Sequence, residues 1–263
     1  MSNLSILMLS YNQLQFLPQA INSVLLQEDV ELELLVIDPG STDGSRDFLR
    51  EIARTDDRIR LVFEKDLGPA DGLRRGLSLA KNEIVGCLNS DDYYLENALA
   101  RVLSQFAINQ KASVIHAHGY VLKGTKRRLQ ASDKFTRWRF IAGCDLVLHQ
   151  STFYRMSHLR ESTISFNPEN QSCWDTEILL DVELKGGQIL RVNDIWGVFR
   201  IHSTSITGSG RLRDVYLKER EELMARALGR PPAKWESLAF RAIGLTFALY
   251  RRGFNLFLER KYV

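Results

Sequence analysis

Hydrophobic residues in the first 90 positions alternate between two periods. Short apolar runs, typical of buried strands, occupy residues 4–9, 32–37, 58–63 and 83–88. Between these runs, apolar residues recur at helical spacing over 14–26, 45–53 and 68–80. The resulting order β-α-β-α-β-α-β predicts an α/β fold with a Rossmann-like, mostly parallel, doubly wound sheet and right-handed crossovers.

The pattern is less regular after residue 90. Helical spacing returns over residues 97–106, 175–185 and 211–228. Strand-like runs lie at 113–118, 120–122, 147–154, 188–192 and 195–201. The basic stretch 123–139 is either a loop over a site or an amphipathic surface turn. We expect one catalytic or binding domain over residues 1–210 and a C-terminal helical extension over 211–263.

Residues 235–258 form a segment of a different kind. On a helical wheel, one narrow stripe is polar, and it holds Lys234, Ser237, Arg241, Arg251, Arg252, Asn255 and Glu259. Three arginines argue against a membrane-spanning helix, because each is costly at the centre of a bilayer. The favoured interpretation is a basic amphipathic helix that lies in the membrane interface. The alternative is a helix packed on the domain or on a second subunit.

Composition and charge narrow the class of protein. The chain is 44% hydrophobic and 25% charged, which is ordinary for a globular protein. From Arg200 onward it carries 13 Lys+Arg against 6 Asp+Glu, so this end predicts an anionic surface or ligand. No nucleic-acid-binding motif accompanies the charge, and we expect no nucleic-acid partner.

The three cysteines and the N-terminus bear on the compartment. The cysteines are far apart and lack metal-ligand spacing, which favours reduced thiols. No basic region precedes a long apolar stretch at the N-terminus, so a secretory signal is not expected. We expect a cytoplasmic protein, held at the inner face of the membrane if the C-terminal helix binds lipid.

Polar side chains follow three of the predicted strands, and they are Tyr11, Asn12, Asp38, Asn89, Asp91 and Asp92. The carboxyl ends of parallel strands share one edge of a sheet, where ligands bind in open α/β folds. Carboxylates there suit a hard cation that also binds phosphate oxygens. A solvated turn with helix-capping acids is the other interpretation of 89–92. The sequence has neither a G-x-G-x-x-G fingerprint nor a P-loop lysine.

In their order and spacing, these segments resemble the inverting family 2 glycosyltransferases, which have the GT-A fold and bind nucleotide sugars. The resemblance covers residues 5 to about 202. It rests on SILMLSYN at 5–12, VIDPGSTDGS at 36–45, DLGPADG at 66–72 and LNSDD at 88–92.

The resemblance implies roles for individual residues in donor binding. Those that line the nucleotide and donor-sugar pocket would be Ser10, Tyr11, Asn12, Asp38, Asp71, Asn89 and Asp91. Asp92 would hold Mg²⁺ or Mn²⁺ on the diphosphate, and His202 would complete the metal site, since Mn²⁺ tolerates imidazole. Arg200 would reach the diphosphate. Pro39 stands where many members have a second acid, so the nucleotide base stays open.

Inverting transfer also needs a base, because the acceptor hydroxyl must lose a proton as it attacks the anomeric carbon. Asp175 matches the position of the family's catalytic base, with Glu177 as the substitute candidate. Helix N-capping is the other interpretation of Asp175.

The resemblance implies metal-dependent sugar transfer to a glycan or lipid-linked acceptor, in cell-surface polysaccharide or glycolipid synthesis. Two alternatives stay open. One is a nucleotidyltransferase on a similar sheet, although residues 11–19 contain no Lys or Arg to hold a triphosphate. The other is a non-catalytic membrane scaffold that binds nucleotide sugars.

Overall fold

The computed structural model describes residues 3–262, and the side chains in this range except those of 234, 237–241, 256, 257 and 259–262. Within this part of the chain, the strands are β1 (Leu4–Leu9), β2 (Leu32–Ile37), β3 (Ile59–Val62), β4 (Ile84–Asn89), β5 (Tyr93–Tyr94), β6 (Ala112–Lys123), β7 (Lys126–Gln130), β8 (Thr152–Arg155) and β9 (Gln188–Ile201). The helices are α1 (Leu17–Leu25), α2 (Ser45–Ala53), α3 (Pro69–Leu79), α4 (Ala98–Ile108), α5 (Arg137–Ile141), α6 (Met156–Glu161), α7 (Trp174–Leu184), α8 (Ile206–Ser209), α9 (Arg213–Leu228) and α10 (Lys234–Tyr262).

The first half of the sheet is parallel, as predicted. β1 lies between β2 and β4, and β3 extends the sheet beyond β2. Successive residues of a strand face opposite layers: Leu7 packs with α3 and α7, whereas Ile6 packs with α1 and α4. Because helices cover both faces, these strands are mostly apolar, with Ser5, Glu33 and Arg60 among the exceptions, which explains the apolar runs. The predicted α/β class is confirmed.

The second half of the sheet is mixed. β8 runs antiparallel to both β4 and β6, while β9 runs parallel to β6 and antiparallel to β5. The two strands predicted over 113–122 form one long strand, β6, and those predicted over 188–201 form β9. The basic stretch 123–139 is neither a loop nor a single turn, since it contains β7 and α5.

The C-terminal helices pack on the rest of the chain. α9 lies against α5 and α7, where Leu223 and Ala227 join the main core. α10 lies against β7 and buries Leu258 beside Leu129 and Ile195. The boundary at residue 210 remains a prediction, but the helices beyond it share their cores with the preceding residues.

The orientation of α10 differs from the simple amphipathic expectation. Two members of its polar stripe face the protein: Arg251 Nη2 lies 2.8 Å from Asp133 Oδ2, and Asn255 Oδ1 accepts a hydrogen bond from the Ala131 N–H at 2.8 Å. Leu245 and Leu249 are 69% and 65% exposed. Packing on the domain, the alternative interpretation, is therefore observed, and the outer face carries exposed apolar side chains. No helix in the described residues is long and apolar enough to cross a bilayer.

Candidate active site

Hydrogen bonds join the loops that follow β1 and β2. The Thr42 N–H donates to Asn12 Oδ1 at 2.8 Å, and the Asn12 N–H donates to Ser41 Oγ at 2.8 Å. Asn12 has φ of 53°, in the left-handed region that Asn tolerates better than most residues. The neighbouring Tyr11 is 60% exposed at the rim of these loops. Two segments of the predicted nucleotide pocket are thus fixed to each other.

Asp38 organises these loops with its carboxylate. The group is fully buried and accepts hydrogen bonds from the Gly40 and Ser41 N–H groups, from the Ser10 and Ser41 hydroxyls and from Arg46 Nε, at 2.6–3.2 Å. Burial alone would raise the pKa of Asp38, but the hydrogen bonds lower it below its ordinary value. Both oxygens are used within the protein. Asp38 therefore shapes these loops, and its direct contact with a base or ribose stays a prediction.

The Asp71 carboxylate is also engaged by partners within the protein. Asp71 is buried, and its carboxylate pairs with Arg74 at 2.7 Å and with Arg75 at 3.2 Å. Sequence reasoning missed Asp66, whose Oδ1 accepts a hydrogen bond from the Gly68 N–H at 3.1 Å. Burial, together with the nearby charges of Asp71 and Asp38, raises the pKa of Asp66. Asp66 has no arginine hydrogen-bonded to it among the described residues, so it is better placed than Asp71 to accept a bond from a ligand.

The two aspartates after β4 have different surroundings. Asp92 is buried, and its Oδ1 accepts a hydrogen bond from the Arg200 N–H at 2.7 Å. Burial and the adjacent Asp91 raise the pKa of Asp92 well above its ordinary value. Asp91 instead meets His202, with 2.9 Å between Oδ2 and Nε2. Asp91 is thus the carboxylate beside the imidazole. The metal role of Asp92 stays a prediction, because its Oδ1 braces β9 while its buried Oδ2 has no partner among the described residues.

Further contacts orient the imidazole of His202 in the Asp91–His202 pair. His202 Nδ1 lies 2.9 Å from Thr204 Oγ1, and the imidazole ring packs on Phe16 with centroids 4.8 Å apart. Such outer contacts orient a metal-binding histidine. One carboxylate and one imidazole suit Mn²⁺, with phosphate and water oxygens as the remaining ligands. No group of three or more His, Cys, Asp and Glu side chains that could hold a metal occurs among the described residues.

The remaining predicted donor ligands are placed as follows. The Arg200 guanidinium lies 4.4 Å from the Phe16 ring centroid, and its Nη2 donates to Gln19 Oε1 at 2.5 Å. The guanidinium therefore lies on the same Phe16 ring as His202, and its contact with the diphosphate stays a prediction. Asn89 is the last residue of β4, and its carbonyl accepts a hydrogen bond from the Asp92 N–H at 3.0 Å.

Asp175 lies in the first turn of α7, in a pocket lined by Val147, His149, Thr152, Tyr154, Thr176 and Leu179. The residue that precedes the helix is Cys173, so Asp175 is not its N-cap. Its Oδ1 accepts a hydrogen bond from the Thr176 N–H at 2.8 Å. Burial raises the pKa of Asp175 to about 6. A carboxylate with this pKa can accept a proton near neutral pH.

Several buried polar atoms without partners among the described residues lie in this pocket or in the adjoining turn 149–151. They are both ring nitrogens of His149, Gln150 Nε2, Ser151 Oγ and the Tyr154 hydroxyl. Burial lowers the pKa of His149 to about 3, so its ring is neutral. Unpaired buried polar groups are costly, which makes a polar ligand here favourable. The sequence pattern did not indicate that Tyr154 lines this pocket, because the residues of β8 have the composition of an ordinary core strand.

The turn at His149–Ser151 connects this pocket to the donor side, because it packs against both β4 and β9. Glu177, the substitute base, points elsewhere. It accepts hydrogen bonds from Asn170 at 2.7 Å and from Arg226 at 2.9 Å. Glu177 therefore anchors α9 rather than serving the pocket.

Comparison with known proteins identifies the family of the chain. The model of glycosyl transferase family 2 matches residues 5–167, more than half of the chain. The chain therefore belongs to glycosyl transferase family 2, and it is a glycosyltransferase.

Similar structures extend the match to the whole fold. The mannosyltransferase PcManGT from Pyrobaculum calidifontis, in complex with GDP-Man and Mn²⁺, has a TM-score of 0.67 and 16% identity, and the match covers 99% of this chain and 76% of that one. S. aureus TarS 1-349 has a TM-score of 0.67 and 20% identity, covering 93% of this chain and 71% of that one. These similarities confirm the GT-A fold.

A curated relative covers most of the chain. The GalNAc(5)-diNAcBac-PP-undecaprenol beta-1,3-glucosyltransferase of Campylobacter jejuni is 26% identical over 82% of this chain and 72% of its own length. An uncharacterized glycosyltransferase of a Nostoc strain is 31% identical over 49% of this chain, which spans 40% of that protein.

Proposed function

We propose that this glycosyltransferase transfers a sugar from a nucleotide-diphosphate donor to an acceptor hydroxyl with inversion at the anomeric carbon. The observation that carries the proposal is the meeting of Asp91 and His202 at the carboxyl end of β4. There the residues present can hold Mg²⁺ or, better, Mn²⁺ against a diphosphate. When bound, such an ion would stabilise the charge that develops on the departing nucleoside diphosphate.

The other residues bind the nucleoside, accept the proton and bind the reacting sugars. The loops joined by Asn12 and Asp38 form the floor for the nucleoside, with Asp66 as an acceptor beside it. Asp175 takes the proton of the acceptor hydroxyl as that oxygen attacks the anomeric carbon. The bond from the anomeric carbon to the diphosphate oxygen breaks, and a single displacement of this kind inverts the configuration. The unpaired groups at His149 and Tyr154 would bind hydroxyls of the reacting sugars.

Relatives suggest the classes of donor and acceptor. TarS has been solved in complex with UDP-GlcNAc, and PcManGT with GDP-Man. The Campylobacter relative is named for an undecaprenol diphosphate acceptor. We accordingly propose a nucleotide-sugar donor and a lipid-linked or glycan acceptor, as in cell-surface polysaccharide or glycolipid assembly on the cytoplasmic side of a membrane.

A test of the reaction class follows from its leaving group. With Mn²⁺ and a nucleotide sugar, the chain should release nucleoside diphosphate and an inverted glycoside. UDP or GDP should raise Tm only when Mn²⁺ is present, because the nucleotide stabilises the folded state by binding it. Release of pyrophosphate from a nucleoside triphosphate would instead favour a nucleotidyltransferase. Nucleotide binding without transfer to any membrane extract would favour a scaffold.

We also propose that the outer face of α10 contacts an anionic membrane. This face exposes Leu245, Leu249 and Tyr250, while α10 lies against β7. The hairpin of β6 and β7 exposes the cations Lys123, Lys126, Arg127 and Arg128. Apolar side chains beside a basic strip suit the headgroup region of an anionic bilayer.

The membrane contact predicts a selective loss of vesicle binding. Leu245→Ser with Leu249→Ser should reduce sedimentation with phosphatidylglycerol vesicles by at least tenfold, because two apolar anchors are lost. Leu184→Ser is the control, since Leu184 is a 40% exposed leucine on α7, outside this surface. Unchanged sedimentation of the double variant, with Tm and transfer intact, would remove the membrane contact and leave the reaction untouched.

A further inference from the structure

A cavity of about 110 Å³ lies beneath α10, outside the site described above. Its charged and aromatic lining consists of Asp133, Arg139, Arg191, Tyr250, Arg251 and Phe254. One water takes about 30 Å³ of liquid volume, so the cavity can accommodate an ion of several atoms.

The charges of this cavity do not balance. Asp133 is the carboxylate of the described lining, and it faces Arg251 at 2.8 Å and Arg139 at 3.6 Å. The third guanidinium, that of Arg191, donates from Nη1 to the Ser132 carbonyl oxygen at 3.2 Å. The Nε atoms of Arg191 and Arg251 are buried and have no partner among the described residues. Three guanidinium groups therefore surround one carboxylate.

An unbalanced, partly buried cluster of cations is unfavourable without an anion. Burial lowers the pKa of Arg191, and the positive charge of Arg139 lowers it further, although Asp133 acts in the opposite direction. Arg220 gives a contrast in the same molecule, because both of its terminal nitrogens pair with Asp145, at 2.8 and 3.0 Å. The arginines under α10 lack such compensation.

We propose that this cavity binds a phosphate group, with Arg191 and Arg251 as its principal ligands. The planar fork of arginine matches phosphate oxygens, and a phosphate dianion would balance the surplus of two positive charges. Aromatic rings hold two of the guanidinium groups in place: Arg139 lies 5.0 Å from the Phe247 ring centroid and Arg191 lies 5.9 Å from that of Phe254.

The site is separate from the proposed donor site. Arg191 lies near the start of β9 and His202 directly follows its last residue, so the two are on the order of 30 Å apart along the strand. The cavity opens beside Tyr250, which is 71% exposed next to the outer face of α10. A phosphate can therefore come from solution or from a lipid headgroup at the membrane.

Thermal unfolding of the full chain without divalent metal tests the site. Replacing chloride by inorganic phosphate at constant ionic strength should raise the wild-type Tm by about 5 °C at a hundredfold excess over Kd. Arg191→Met should abolish that rise. In chloride, the same variant should unfold at or above the wild-type Tm, because an uncompensated cation has been removed. A lower Tm in chloride, with the phosphate response retained, would assign Arg191 to packing and overturn the proposal.

Controls and a second arm separate the sources of phosphate. Arg54→Met removes an exposed arginine at the end of α2, outside both proposed anion-binding surfaces, and should keep the phosphate response. If free phosphate has no effect, binding to phosphatidylglycerol over phosphatidylcholine vesicles should fall at least fivefold in Arg191→Met and not in Arg54→Met, which assigns the site to a headgroup. No response in either arm overturns the proposal. Arg251→Met provides an independent variant, and a retained Mn²⁺-dependent nucleotide shift shows that the donor site is intact.

Discussion

Asp175→Asn is expected to lower kcat by about 10²–10⁴-fold, because an amide cannot accept the proton of the acceptor hydroxyl. Donor binding should change little, since the proposed donor contacts lie in the loops that follow β1 and β2 and at the ends of β4 and β9, rather than on α7. The measurement is steady-state transfer at saturating donor, combined with the nucleotide-dependent Tm shift. A variant that keeps wild-type kcat would show that another group is the base.

The pH dependence gives a second readout of the same substitution. Burial raises the pKa of Asp175 to about 6 in the folded chain, above about 3.9 for an unfolded aspartate. The wild-type kcat should therefore rise with pH through about 6. Because protonated Asp175 is favoured in the folded state, its contribution to folding stability is fully present below about pH 4. This contribution is lost as the pH rises through about 6 and Asp175 becomes charged in its buried site. Asp175→Asn should consequently have the higher Tm at pH 8, with the gap closing toward pH 4.

Glu177→Gln is the matched control, since it changes an acid two residues away on the same helix. Glu177 is buried against Asn170 and Arg226, so its replacement weakens an ion pair and should lower Tm. Transfer per folded molecule should be preserved. The opposite pattern, with transfer lost in Glu177→Gln and kept in Asp175→Asn, would exchange the two roles.

The parallel half of the fold could be predicted because local pattern and long-range environment agree there. Each strand is covered on both faces, so an apolar run implies a buried strand, and the predicted strand over 32–37 has the observed limits. The mixed half lacks this agreement. β8 has four residues and pairs antiparallel with β4, although 62 residues lie between the two strands in the chain. No local signal specifies such a partner.

Within the candidate site, sequence predicted which segments converge but not how each carboxylate is used. Asp38 ends a buried strand, as a ligand-binding acid would, yet its oxygens are taken by neighbouring donors. The different surroundings of Asp91 and Asp92 depend on β9, which brings His202 to one and the Arg200 N–H to the other. Such side-chain choices arise from packing between distant strands, and a residue pattern does not contain them.

The orientation of α10 also depends on contacts with distant parts of the chain. A helical wheel separates polar from apolar positions, and solvent is the usual partner of the polar stripe. Here Asp133 and the Ala131 N–H are partners for Arg251 and Asn255, so part of that stripe turns inward. A wheel sorts positions by polarity, and only the tertiary contacts decide which of the described side chains are exposed.

Asp91→Asn is expected to lower kcat/KM by about 10²–10³-fold and to abolish the Mn²⁺-dependent Tm shift with UDP or GDP. Asp91 and His202 meet at 2.9 Å, and the substitution leaves an amide that binds a hard cation poorly. His202→Ala should reproduce the loss of the Mn²⁺-dependent shift.

Asp92→Asn separates the two adjacent acids. Its amide oxygen can still accept the hydrogen bond from the Arg200 N–H, so the Mn²⁺-dependent shift should survive with a much smaller loss of activity. If Asp92→Asn abolishes the shift and Asp91→Asn retains it, the cation is held by the buried acid, and the Asp91–His202 contact is an ordinary structural hydrogen bond. Comparing the two variants at one metal concentration therefore decides which carboxylate faces the diphosphate, because they differ by a single position in the chain.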